Sequence, residues 1–108
     1  MNKIWNHKLI VTVVKKGLAR KVVEASKKAG AEGGTVVFAR GTGIHEFKTF
    51  LGIQIQPEKE VVLTLVTSNQ IEMVLSAIEN SAKLYKPGNG IGFVVDTKKI
   101  AGICHILK

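Results

Sequence analysis

Lys8-Leu9-Ile10-Val11-Thr12-Val13-Val14 alternates Leu9, Val11 and Val13 on one side with Ile10, Thr12 and Val14 on the other. Both series are apolar or β-branched, so the run reads as a strand covered on both faces, the centre of a sheet. Beyond it, Leu18, Val22, Ala25 and Ala29 recur at helical spacing between Gly17 and Gly30, which predicts a helix over about 18–29. Gly33 and Gly34 turn the chain into the β-branched run Thr35 to Ala39, a second strand, and Lys59 to Thr67 gives a third. Thr67 or Asn69, with Gln70 or Glu72 three residues on, announces a second helix whose apolar stripe is Ile71, Val74, Leu75, Ile78 and Ala82. Pro87, Gly88 and Gly90 end it, Ile91 to Val95 is a fourth strand, and Ile100 to Leu107 could add a short terminal one.

The resulting order is β-α-β, a long segment, then β-α-β. Two right-handed crossovers of this kind specify an antiparallel sheet with both helices on one face, an α+β arrangement of the ferredoxin-like type. The other face of the sheet is also apolar and must be covered, which a trimer would do. The intervening segment, about 40–58, is too long for a hairpin turn and lacks sustained periodicity, so it is expected to project as a mobile loop. It offers Ile44, Phe47, Phe50, Leu51, Ile53 and Ile55, either to a partner or, if Phe50 to Ile55 extends the third strand, to a neighbouring subunit.

A chain of 108 residues makes one domain, 1–108. Its longest apolar stretches, Leu9 to Val14 and Val61 to Val66, are far too short to cross a bilayer. No leader pattern opens the sequence and the lone Cys104 has no internal disulfide partner, which gives the expectation of a cytoplasmic protein. The formal charge is +8, and residues 1–40 make that field with nine Lys or Arg against Glu24 and Glu32. Such a field attracts nucleic acid, phosphorylated ligands or anionic surfaces, or simply solvates an outer helix face through Lys15, Lys16, Lys21, Lys27 and Lys28.

Two glycine-hinged bends stand beside sheet strands: Gly41-Thr42-Gly43 follows the second strand, and Gly88-Asn89-Gly90 lies between the second helix and the fourth strand. Either each is a tight turn, or together they line a ligand crevice in which backbone amides meet an anion. Catalysis is not expected: His45-Glu46 and Cys104-His105 are neighbours on extended chain, so each pair sends at most one group inward, and neither has a metal-ligand spacing. No catalytic residue, metal or required cofactor is therefore assigned. The alternative function is a basic ferredoxin-like nucleic-acid-binding module. It is disfavoured because Phe38 and Phe93 are isolated where base stacking would need an aromatic platform.

The residues also resemble a known family, the nitrogen regulatory P-II signal-transduction proteins, as a divergent member. The likeness rests on Gly33-Gly34-Thr35-Val36, Arg40-Gly41-Thr42-Gly43, Pro57, and Lys86-Pro87-Gly88-Asn89-Gly90 before Phe93-Val94, and spans almost the whole chain. It implies a homotrimer with three lateral clefts that take an adenine nucleotide, and a long loop that docks on a membrane transporter or metabolic enzyme. It assigns Thr35, Arg40, Gly41, Thr42, Gly43, Gly88, Asn89 and Gly90 to the ligand, and His45, Phe47, Lys48, Phe50 and Leu51 to the partner.

Departures from the family pattern bear on the ligand. The usual basic positions hold Ile91, Glu58, Gly102 and Cys104, and Asn89 replaces an acid in the bend. Charge-assisted hydrogen bonds contribute about 1.5–3 kcal/mol each, so their loss favours a smaller or less charged nucleotide, ADP or AMP over ATP. His45 stands where the family has the glutamine that helps hold 2-oxoglutarate, so sensing of that effector is not expected. The loop lacks a tyrosine for covalent modification, since Tyr85 is the only one in the chain.

Overall fold

The computed structural model describes residues 6–41, 48–55 and 57–102. Strand β1 (His7–Lys15), helix α1 (Ala19–Lys28), strand β2 (Thr35–Arg40), the short strands β3 (Lys48–Phe50) and β4 (Ile53–Ile55), strand β5 (Glu58–Thr67), helix α2 (Ile71–Ala82) and strand β6 (Gly90–Asp96) follow in chain order. The main sheet has the order β2-β5-β1-β6, every neighbour antiparallel. This is the ferredoxin-like α+β fold expected from the alternation in β1 and the two helical stripes.

Period-two alternation divides the sheet cleanly. Ile10 and Val14 of β1, with Val62 and Val66 of β5, are buried beneath the helices, where they meet Val22 of α1 and Val74, Ile78 and Ala82 of α2. Burying a Val or Ile side chain contributes about 1.5–3 kcal/mol, so this layer supplies most of the driving force for the fold. Two threonines interrupt it. Thr12 and Thr64 are fully buried, and neither hydroxyl has a hydrogen-bond partner among the described residues. His7 is likewise buried with both ring nitrogens unpartnered there.

Helix ends are closed by groups that come from elsewhere in the chain. Glu60 of β5 accepts hydrogen bonds from the backbone N–H groups of Gly17 (3.0 Å) and Ala19 (2.9 Å), placing a carboxylate at the start of α1. A single 3₁₀ turn, Ser68–Gln70, leads into α2, and Thr67 donates its N–H to Gln70 Oε1 at 2.9 Å, one half of the capping box that the sequence spacing suggested. The Gln70 amide also donates to the carbonyl of Gly30 at 3.1 Å, tying the end of α1 to the start of α2.

The segment between β2 and β5 carries a strand pairing that its sequence does not announce. It is not devoid of regular structure: β3 and β4 pair as an antiparallel hairpin, with Lys48 opposite Ile55 and Phe50 opposite Ile53. Leu51 (φ 52°) and Gly52 (φ 80°) form its two-residue turn, both left-handed as a tight hairpin requires. Three-residue strands are too short to register as periodicity, which is why the pairing escapes a reading of the sequence. The strand suggested for Ile100 to Leu107 is absent over 100–102, and its remainder lies outside the described residues.

Candidate ligand and loop site

The register places Gly41, where the first bend begins, and Gly90, where the second ends, at one end of the sheet. Arg40 of β2 lies opposite Glu58 of β5, Lys59 of β5 opposite Lys15 of β1, and Val14 of β1 opposite Gly90 of β6. However, β2 and β6 are the two sheet edges, so within one chain the strand ends that carry Gly41 and Gly90 are separated by three strand spacings, about 14 Å.

The loop root is built from β2 and β5. Gly41 N–H donates to the carbonyl of Pro57 at 3.2 Å, closing the segment where it leaves and rejoins the sheet. Glu58 sits between two cations from different elements: Lys16 Nζ at 2.7 Å and Arg40 Nη2 at 3.6 Å. The hydrogen bond from Lys16, then its charge, hold the Glu58 carboxyl below the usual glutamate range, and the same bond raises the Lys16 ammonium. Together with Phe38, Lys59 and Glu60 these residues line a cavity of about 640 Å³. Phe38 is 78% exposed beside it.

Thr35 stands at the far end of β2, five residues and about 17 Å from Arg40. Its register partner Leu63 puts it on the helix-free face, whereas Arg40 and Phe38 pair with Glu58 and Glu60 on the helix side. The two therefore leave the strand in opposite directions. Thr42, Gly43, His45 and Phe47 lie outside the described residues. Lys48 and Phe50 belong to β3, and Leu51 is 86% exposed at the hairpin tip.

At the second bend the structure separates the three residues by role. Gly88 has φ +85° and open space where a side chain would stand. Asn89 is buried, and its amide donates to the carbonyls of Ala82 (3.0 Å) and Lys83 (3.1 Å), closing the C-terminal end of α2. Its backbone is also engaged, the N–H with Lys86 and the carbonyl with Lys15. Asn89 thus serves the helix end with its side chain and the sheet with its main chain. Gly90, with φ +145°, lies against the backbone of β1: a Cβ there would fall 2.2 Å from the Val13 carbonyl oxygen. Glu60, Lys16 and the capping role of Asn89 were not legible in the sequence, because each depends on contacts across the fold rather than on local spacing.

The helix-free sheet face consists of transverse apolar rows. Leu65, Leu9 and Val95 form one row, Leu63, Val11 and Phe93 a second, and Val37, Val61, Val13 and Ile91 a third. Ile91 is 60% exposed, and Val37, Phe93 and Val95 are each exposed by more than 40%. Together these rows make a continuous, partly exposed apolar surface.

The family model of nitrogen regulatory protein P-II matches residues 7–104. The chain belongs to the P-II family. Its membership makes it a regulatory signal-transduction protein, in agreement with the resemblance carried by the glycine bends and the strand order. The crystal structure of Arabidopsis thaliana PII bound to citrate shares the fold, with a TM-score of 0.72 and 22% identity over 92% of this chain and 84% of that one. No curated protein matches the chain. Among the described residues of this P-II protein, no helix is long and apolar enough to cross a membrane and no cluster of His, Cys, Asp or Glu could hold a metal ion.

Proposed function

We propose that the protein is a homotrimeric P-II regulator that senses an adenine nucleotide in clefts between subunits and signals through the 41–57 loop to a target protein, such as a transporter or metabolic enzyme. The observation that carries this reading is the separation of the two bends onto opposite sheet edges while the helix-free face stays apolar and uncovered. One chain holds two half-sites, and burying that face against two copies would supply the missing halves. Gly88 offers the open, positive-φ part of the second bend, and the Lys16–Glu58–Arg40 group offers exchangeable charge at the loop root.

The loop supports an output role. Leu51 occupies a left-handed position that normally suits Asn or Gly, and it is exposed together with Ile53. A non-glycine residue there costs on the order of 1 kcal/mol, and an exposed apolar tip retained at that cost suits a partner pocket. The mechanism is a population shift in which bound nucleotide favours one arrangement of the loop. Light scattering followed by titration calorimetry with ATP, ADP and AMP, with and without magnesium, tests it. A trimer with one saturable site per subunit is expected; an intact trimer with no heat for any nucleotide would reject the ligand, and a monomer would reject the cleft.

A further inference from the structure

Helices α1 and α2 pack side by side, and their outer face carries a groove of about 540 Å³ that belongs to neither glycine bend. Its floor is made of small side chains, Ala25 of α1 and Ala29 at its C-cap, and Ala77 and Ser81 of α2. Lys21, Glu24 and Lys28 flank it from α1, leaving the flank net positive; the two lysines, seven residues apart, lie about 10.5 Å apart along the helix axis. Among the described residues no carboxylate pairs with either lysine, while the nearby Glu24 lies 3.8 Å from Arg20. Residues 15–28 hold six Lys or Arg against that one glutamate. Met73, four residues before Ala77 on the same stripe of α2, is 64% exposed.

We propose that this groove docks an acidic helix of a protein partner. A concave floor of small residues between two helices accepts the ridge of a third. The lysine flank calls for Asp or Glu at two positions one heptad apart, and Met73 supplies a soft apolar contact at one end. A membrane surface would be met by inserted bulky apolar groups, whereas the exposed positions of α1 are Arg20, Lys21, Glu24, Lys27 and Lys28. Single-stranded nucleic acid would be met by aromatic platforms, and neither helix contains an aromatic residue. The docking is independent of the nucleotide site.

The test uses the full chain and a labelled synthetic helix with Glu at two positions one heptad apart and Leu and Ala between them. Anisotropy is compared with a scrambled peptide of the same composition, with polyuridylate and with phosphatidylserine vesicles. Saturable binding of the designed helix is expected, weakened about tenfold by K21Q/K28Q, a loss typical of two partly exposed ion pairs. K98Q/K99Q, which removes the same charge elsewhere, should change affinity less than twofold, and Ala77→Trp, which fills the groove, should abolish binding while circular dichroism stays unchanged. Equal binding of the scrambled peptide, equal loss with K98Q/K99Q, or retention of RNA or vesicles without the designed helix would overturn the proposal. So would no binding at all.

Discussion

Gly90 and Val13 are in contact through their main chains: a Cβ built on Gly90 would fall 2.2 Å from the Val13 carbonyl oxygen and 2.8 Å from Val14 Cα. Backbone atoms in the central strand of the sheet do not move aside as a side-chain terminus would. Gly90→Ala is therefore expected to destabilise the fold by about 2–5 kcal/mol, combining overpacking with strain at positive φ, as read by urea denaturation. A loss below about 1 kcal/mol would show that the strands can separate at low cost. Gly88, with open space around it, is the position at which to test the ligand without breaking the sheet.

Asn89 closes α2 by donating to two carbonyls, and an aspartate cannot donate when ionised. Asn89→Asp should cost about 1–3 kcal/mol at neutral pH, since it leaves the carbonyls of Ala82 and Lys83 unpaired and adds negative charge at the negative end of the helix. Thermal unfolding with hydrogen exchange at Ala82 to Leu84 would detect it. Unchanged protection would mean that water replaces the amide without loss.

The Lys16–Glu58 pair gives a pH signature. Because the folded carboxyl titrates below the unfolded one, its contribution is fully present above the ordinary glutamate value of 4.5 and is lost as pH falls through the lower folded value. The pair is exposed, so salt should weaken it. Carboxyl-carbon NMR is expected to place the Glu58 midpoint below 4.5, and Lys16→Met should move it upward. A midpoint insensitive to Lys16 would assign the shift to another source.

Phe93 lies opposite Val11 on the helix-free face and is 44% exposed in the single chain. If the chain assembles through this face as proposed, Phe93→Asp should leave a folded monomer, because it puts a charge into the apolar face while leaving the helix-covered core intact. Sedimentation velocity reads the assembly and circular dichroism reads the fold. A trimer that survives the change would place the interface elsewhere.

Leu51→Asn should leave the hairpin formed, because Asn tolerates left-handed φ better than Leu, while removing the exposed apolar tip. Partner binding should fall at least tenfold in a pull-down titration with whichever target is identified. Unchanged binding would shift the contact to another part of the loop.

Much of the architecture was legible because it is periodic. The two faces of β1, the stripes of α1 and α2, and the Thr67–Gln70 spacing each repeat with the geometry of their element, and together they fix the order of strands. The β3–β4 hairpin was not legible, since three residues per strand carry no period and Leu51 is an uncommon residue in such a turn. The two bends were visible as glycine pairs, but their division of labour was not.

The sequence by itself determined the α+β class, the helix-covered core and the apolar helix-free face, because local spacing and hydrophobic alternation encode these directly, and its glycine motifs carried the resemblance to the P-II family. Only the tertiary structure decided that Asn89 serves a helix end, that Gly90 is required by Val13, that Glu60 caps α1, and that the two bends sit on opposite edges of one sheet. Those facts arise from strand register and cross-chain contact, which bring together residues dozens of positions apart and leave no mark on the local pattern.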